Sequence, residues 1–245
     1  SSNGDVHGGA FYLHSSSLLL VNSTVIGCSA SSSAGSVDGG AASLFSSSNA
    51  SLINSSTVGC SVISSGGRVF GGAHRLYSSS LSLINSVTTG CSATTSDENV
   101  YSAGFWLYLS SVSLVGSTTA GCCATSSGGN LYGGGFRLYS SSATMLDSAT
   151  VVCSATSETG WVEGGAFLLS YSSLILIRST TTGCSAATSF GDASGGAVCL
   201  QSSSLALINS TLASCSAISS GGKGEGGACA LSTSSDVSLV NSTVT

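Results

Sequence analysis

Ten cysteines, ten carboxylates and three histidines are the side chains of this 245-residue sequence that could do covalent, acid–base or metal chemistry. Seven of the cysteines, Cys28, Cys60, Cys91, Cys122, Cys153, Cys184 and Cys215, follow one another at intervals of 32 residues once and 31 five times. Thiols on so regular a spacing are placed by a repeating fold, and the expected reading is a ladder of small apolar side chains in a core. Stacked side chains point the same way, so a regular chain of disulfides is not expected. Ligands on one line do not enclose a tetrahedral site either, and neither metal nor cofactor is assigned. Cys123, Cys199 and Cys229 stand outside the pattern.

Cleavage of a sugar polymer would need two carboxylates converging on one bond. Asp38, Asp97, Glu98, Glu158, Glu163, Asp192 and Glu225 nearly all fall in variable segments between repeats, at offsets that differ. They are read as solvated loop charge, with weak calcium binding as the alternative. His7 and His14 have no companion set, and His74 takes a position held by Phe11, Phe105, Phe136 and Phe167 in other repeats. Serine is abundant, but no G-x-S-x-G elbow accompanies it. No catalytic residue is assigned, and the chain is read as a non-enzyme.

Three surface features carry more information. Tyr12, Arg75, Tyr77, Trp106, Tyr108, Arg137 and Tyr139 recur on or beside one strand and form a candidate binding face, in residue types that favour interfaces and sugar stacking. Thr57, Thr88, Thr119, Thr150 and Thr181 recur at one position and are expected to form an outward file of hydroxyls, suited to ice, a glycan or another solenoid. Asn22, Asn49, Asn54, Asn209 and Asn241 head N-x-S/T sequons and are candidate glycosylation sites. Four of them share one bend. There the side chain either points out and can carry a glycan, or points in and builds a backbone-bonding ladder.

What positions these residues is a single unit written again and again, GGAFYLHSSSLLLVNSTVIGCSA from Gly8 to Ala30 followed by a short free segment. Its fourth and sixth positions are apolar or aromatic with polar residues between, the two-residue period of a half-buried strand. Polar Ser-Ser-Ser corners and a bend at Asn22 and its equivalents separate that strand from two more. Ile26, Cys28 and Ala30 are expected inward, and the single-residue insertions at Asn49 and Asp236 fall at the serine corner. Three short strands per coil and about eight coils of 31–32 residues describe a right-handed parallel β-helix over residues 1–245, one solenoid and a segment of a longer array. Helical repeats are excluded by the Gly, Ser and Thr content.

The GGA pattern, the following strand, N-S-T and G-C-S-A resemble the GGA-type repeats of right-handed parallel β-helix proteins, among them polymorphic outer-membrane proteins and related surface adhesins. The resemblance implies an extracellular or cell-surface location and a structural or adhesive rod. The same fold serves polysaccharide lyases and structural fibres. A polysaccharide-acting lyase or hydrolase is therefore the alternative, and an ice-binding protein using the threonine file is a third. A net charge of −5 with no basic stripe argues against nucleic acid as a partner, and no apolar run is long enough to span a bilayer as a helix. Neighbouring repeats of the chain, further copies of it, and glycans are the expected partners.

Overall fold

The computed structural model describes residues 3–245 as a parallel β-solenoid of about eight coils, with no helix among them. The first coil contains β1 (Val6–His7), β2 (Phe11–His14), β3 (Ser17–Val21), β4 (Thr24–Ile26) and β5 (Ser29–Ser32). Each pairs in parallel with its copy one coil on, building four sheets of eight strands and, for β5, one of seven. Below, each sheet carries the name of its first strand. The expected three strands per coil are thus five. The third expected strand is cut in two by the bend at Gly27, and the free segment contributes the two-residue β1.

The glycine pair makes the first corner. Gly133 has φ +81°, and an added Cβ would lie 2.2 Å from the carbonyl oxygen of Phe136. Its neighbour Gly134 lies against the next coil, with an added Cβ 2.2 Å from the Gly165 carbonyl oxygen. One glycine supplies a left-handed turn; the other lets two coils touch. At the bend between β3 and β4 ordinary residues, Asn22, Asn85, Asp147 and Arg178 among them, take the left-handed conformation in every coil but that of Gly116. The insertions at the serine corner are absorbed in the same way. Ser46 and Ser47, and Thr233 and Ser234, are consecutive left-handed residues where other coils use one, which keeps Asn49 opposite Ser17 and Asp236 opposite Ser204.

A chain that turns takes some backbone N–H groups out of the ladder, and buried N–H groups need acceptors. Serine hydroxyls supply them. Between β3 and β4 the Ser86 N–H donates to Ser117 Oγ at 3.1 Å, and the Ser117 N–H donates to Ser148 Oγ at 3.1 Å. Ser117 Oγ lies 3.0 Å from the Val115 carbonyl oxygen and 3.1 Å from that of Leu83, so its own proton is placed as well. The corner between β2 and β3 repeats the device, with Ser79 N–H on Ser110 Oγ at 3.1 Å and Ser110 Oγ–H on the Tyr108 carbonyl at 2.7 Å. After β5, Ser157 Oγ accepts from the Gly160 N–H and donates to the Gly129 carbonyl, each at 2.9 Å. Hydroxyls thus pin three of the corners from coil to coil.

Inside, like stacks on like. The leucine file Leu44, Leu76, Leu107, Leu138, Leu169 and Leu200 is wholly buried, and Phe105, Phe136 and Phe167 stack at ring separations of 4.6 and 4.9 Å. The cysteine ladder lines the same core, with Cys60, Cys91, Cys122, Cys153 and Cys184 buried and all ten cysteines free thiols. Hydrogen bonds to Cys153 and Cys91, with burial, hold the Cys122 thiol well above its ordinary range. Of the three cysteines outside the pattern, Cys123 is exposed at the start of a β5 strand and Cys229 takes the phenylalanine position. Cys199 lies buried on the outer side of β2.

The threonine file is inside, contrary to the expected outward placement. Thr57, Thr88, Thr119, Thr150 and Thr181 are fully buried, between Val25 and Leu212 of the same file, while Ile26, expected inward, is exposed. The bend at Gly27 and its equivalents interrupts the two-residue alternation. The middle of β4 and the cysteine three residues later therefore both face the core. Among the described residues, the hydroxyls of Thr57, Thr88, Thr119 and Thr181 have no hydrogen-bond partner.

His74 sits in the phenylalanine file, as its position suggests, stacked on Phe105 at 5.1 Å, and among the described residues neither ring nitrogen has a hydrogen-bond partner. Burial lowers its pKa to about 4.

Two predictions follow from these placements. Ser117→Ala leaves the Ser86 N–H without its acceptor and should lower unfolding free energy by about 1–3 kcal/mol, whereas Thr119→Val removes an unpaired buried hydroxyl and should raise it, both read from denaturant titration. His74 is neutral when folded but takes a proton below about pH 6.5 when unfolded. The contribution of this histidine to stability is complete above that pH, falls by about 3 kcal/mol as pH drops to about 4, and changes no further below. Thermal melts across this range should show that loss in the wild type, and His74→Phe should reduce it.

Candidate functional site

The corner at Gly8–Ala10 folds β1 and β2 toward each other on the outside of the solenoid. The second residue of each β1 strand therefore faces the second and fourth residues of β2. In sequence these files read His7, Asp38, Phe70, Tyr101, Tyr132, Glu163 in β1 and Tyr12, Ser43, Arg75, Trp106, Arg137, Leu168 in β2. The result is a groove with aromatic walls and a charged floor.

One wall is the stack Tyr77, Tyr108, Tyr139, with ring centroids 4.9 and 5.3 Å apart and planes within 11° and 2° of parallel. The other is Phe70, Tyr101, Tyr132 at 4.8 and 5.1 Å. Between them Arg75 lies over Phe45, Phe70 and Trp106 at 4.9, 4.7 and 4.9 Å from the ring centroids. Arg137 lies over Tyr132 and Tyr139 at 5.6 and 5.8 Å. A desolvated guanidinium held by aromatic faces on several sides contributes more than an exposed one. Burial lowers the pKa of Arg75 to about 10 and depresses that of Arg137, which still leaves Arg75 charged at neutral pH.

Arg75 Nη1 bonds Asp38 Oδ2, and so does His7 Nδ1. The Asp38 side chain has no exposed surface, and among the described residues its Oδ1, the Ser43 hydroxyl and Arg75 Nε find no hydrogen-bond partner. Further along, Arg137 Nη1 donates to Ser170 Oγ at 2.9 Å, Ser170 donates to Gln201 Oε1 at 2.8 Å, and Gln201 Nε2 donates to Glu163 Oε1 at 2.9 Å. Burial raises the pKa of Glu163, with Arg137 and Gln201 opposing. It also pushes the nearby Cys199 thiol up to about 12, so that sulfur is no nucleophile at neutral pH.

The structure brings the seven residues of the sequence-derived binding face together, but not as an open platform. Tyr12 and Tyr77 are exposed, Arg75, Tyr108 and Tyr139 are half-buried, and Trp106 and Arg137 are buried. Because the rings stack on one another, the walls offer edges and hydroxyls rather than faces. Sequence reasoning missed the β1 wall. Phe70, Tyr101 and Tyr132 each stand immediately before the glycine corner, a recurrence that would have marked them. It also misplaced two carboxylates, since Asp38 and Glu163 belong to the β1 file and face arginines rather than water. Among the described residues no cluster of His, Cys, Asp and Glu could hold a metal ion.

The sequon asparagines Asn22, Asn49, Asn54, Asn209 and Asn241 are all exposed, so the bend file points outward. Arg178, out of character at a bend, pairs with Asp147 one coil below, Nε to Oδ1 at 2.7 Å and Nη2 to Oδ2 at 2.8 Å. That pair lowers the carboxyl pKa of Asp147.

Asp38→Ala strands Arg75 among aromatic rings and should cost about 3–5 kcal/mol, while Asp38→Ala with Arg75→Met should recover most of the loss. Chemical denaturation of the two variants beside Arg75→Met gives the coupling directly.

Comparison of the chain with protein-family models, with curated proteins and with solved structures finds no match.

Proposed function

We propose that this chain is a non-enzymatic structural or adhesive rod of an extracellular or cell surface, extended by end-to-end stacking of β-helix coils. The observation that carries this reading is the stack itself. In all five sheets each strand pairs in parallel with its copy one coil on, and the same side-chain files run from coil to coil, so every coil is a template for another of its kind. Leu231 and Leu239 continue two of these files behind Leu200 and Leu207. A coil with the same files, of this chain or of another copy, extends the stack by the same contacts.

The resemblance of the GGA repeats to surface adhesins supports the same reading. So does the chemistry of the groove, where Asp38 is tied to Arg75 and Glu163 stands four coils away in the same file, roughly 19 Å along the stack. Carboxylates so placed do not flank one sugar bond. The tyrosine edges and hydroxyls of the groove are the adhesive element, facing glycans or protein, and glycans on the exposed bend asparagines would decorate the opposite corner of the rod.

Electron microscopy with sedimentation analysis tests the proposal. The wild-type chain should form filaments longer than one chain, and Leu231→Lys with Leu239→Lys should leave short, folded rods with an unchanged β-sheet circular dichroism spectrum. Wild-type rods that stay single at every concentration would overturn it.

A further inference from the structure

Among the described residues none covers the outer face of the β3 sheet. Its fifth position reads Val21, Ile53, Ile84, Val115, Leu146, Ile177, Ile208 and Val240, an unbroken aliphatic ridge along all eight coils. Each ridge residue is at least partly exposed, though its neighbours in the file shield it above and below. Beside the ridge the third position is small in coils two to five, at Ser51, Ser82, Ser113 and Thr144. A groove of about 640 Å³ runs there between the first and third positions. Large residues bound the small stretch, Leu19 at 63% exposed in coil one and Ile175 at 37% in coil six. From Ser17 to Ile208 no β3 strand carries a charge, and Asp236 in the last coil is the exception.

We infer that this face pairs with the same face of a second copy, the two rods lying side by side with their coils level and a two-fold axis running between them along their length. A ridge to one side of the face and a groove to the other are self-complementary under that rotation, as an isologous interface requires. Ile53, Ile84, Val115 and Leu146 of one copy then fill the groove of the other over coils two to five. Leu19 and Ile175, at the third position near the axis, meet their own counterparts in the partner and bound the contact at coils one and six. A slip by one coil would turn the two-fold into a screw and leave the interface unclosed. Eight strands at about 4.8 Å and five residues at about 3.3 Å give a face of about 600 Å². Two such faces bury about 1,200 Å², the lower end of what a specific stable interface needs. A continuous aliphatic file on an uncharged sheet is also the kind of exposed patch that marks an interaction surface.

This pairing is distinct from end-to-end stacking and is tested with the ends blocked. The Leu231→Lys, Leu239→Lys chain, made in a host that adds no glycans at the neighbouring bend, is followed by sedimentation equilibrium. A mass twice that of one chain is expected. Ile53→Lys with Val115→Lys, two coils apart so that the new charges do not stack on each other, should weaken the dimer at least tenfold while the β-sheet circular dichroism spectrum stays that of the folded rod. In a Cys123→Ser background, Ser82→Cys with Ile84→Cys should yield a disulfide-linked dimer under mild oxidation, since the two positions meet only when the coils are level. A monomer at all concentrations, or a dimer indifferent to the lysines, would overturn the pairing; a dimer that the lysines break but the cysteines fail to link would overturn the level arrangement. Filaments lost with the ends blocked while this dimer persists would leave the two associations separately judged.

Discussion

The structure depends on how a parallel stack turns its corners. Straight strands satisfy their backbone groups with the coils above and below, but each bend rotates peptide groups out of that ladder. Here the hydroxyl of a serine or threonine in one coil accepts the N–H of its counterpart in the coil below, or of a glycine three residues on, and donates to a nearby carbonyl. Three corners of every coil are therefore closed by a side chain no larger than the turn itself. With that settled, a coil can be as short as 31 residues and still enclose a dry core of leucine, phenylalanine, cysteine and alanine.

Stacking identical units makes every side chain the neighbour of its own kind, and the molecule is shaped by which residues tolerate that. Aromatic rings stack face to face, leucines pack, and hydroxyls relay hydrogen bonds. Charges do not tolerate it, which accounts for a chain with only fifteen charged side chains of Asp, Glu, Lys and Arg. Two of the charges inside the repeat meet an opposite one from an adjacent coil or file, Arg178 with Asp147 and Arg75 with Asp38. Both pairs break the repeat, and both are built from two departures that compensate each other.

The period of the cysteines and the alternation around each Gly-Gly-Ala were legible because they depend only on spacing, and they gave the stacked coil, the cysteine ladder and the phenylalanine file with His74 in it. The facing of the threonines was not. A left-handed glycine between β4 and β5 adds a residue to the alternation, and a run of eight residues read as one strand hides that step. The serine corners were passed over because a hydroxyl bonded to a residue 31 positions away looks the same in sequence as one facing water. Asp38 was misread for a related reason. Its partner Arg75 is 37 residues distant, and only the fold of β1 against β2 brings them together.

The level register of the coils also fixes how such a rod would yield to a pull. Each coil is held only by the coils on either side, so tension on a chain end would peel turns off one by one rather than breaking the body at once. Every turn released would pay out roughly 100 Å of extended chain, set by about 31 residues at their full reach. A rod of this design is in mechanical terms a spool, giving length in equal steps under load while the turns still wound keep their full grip on one another.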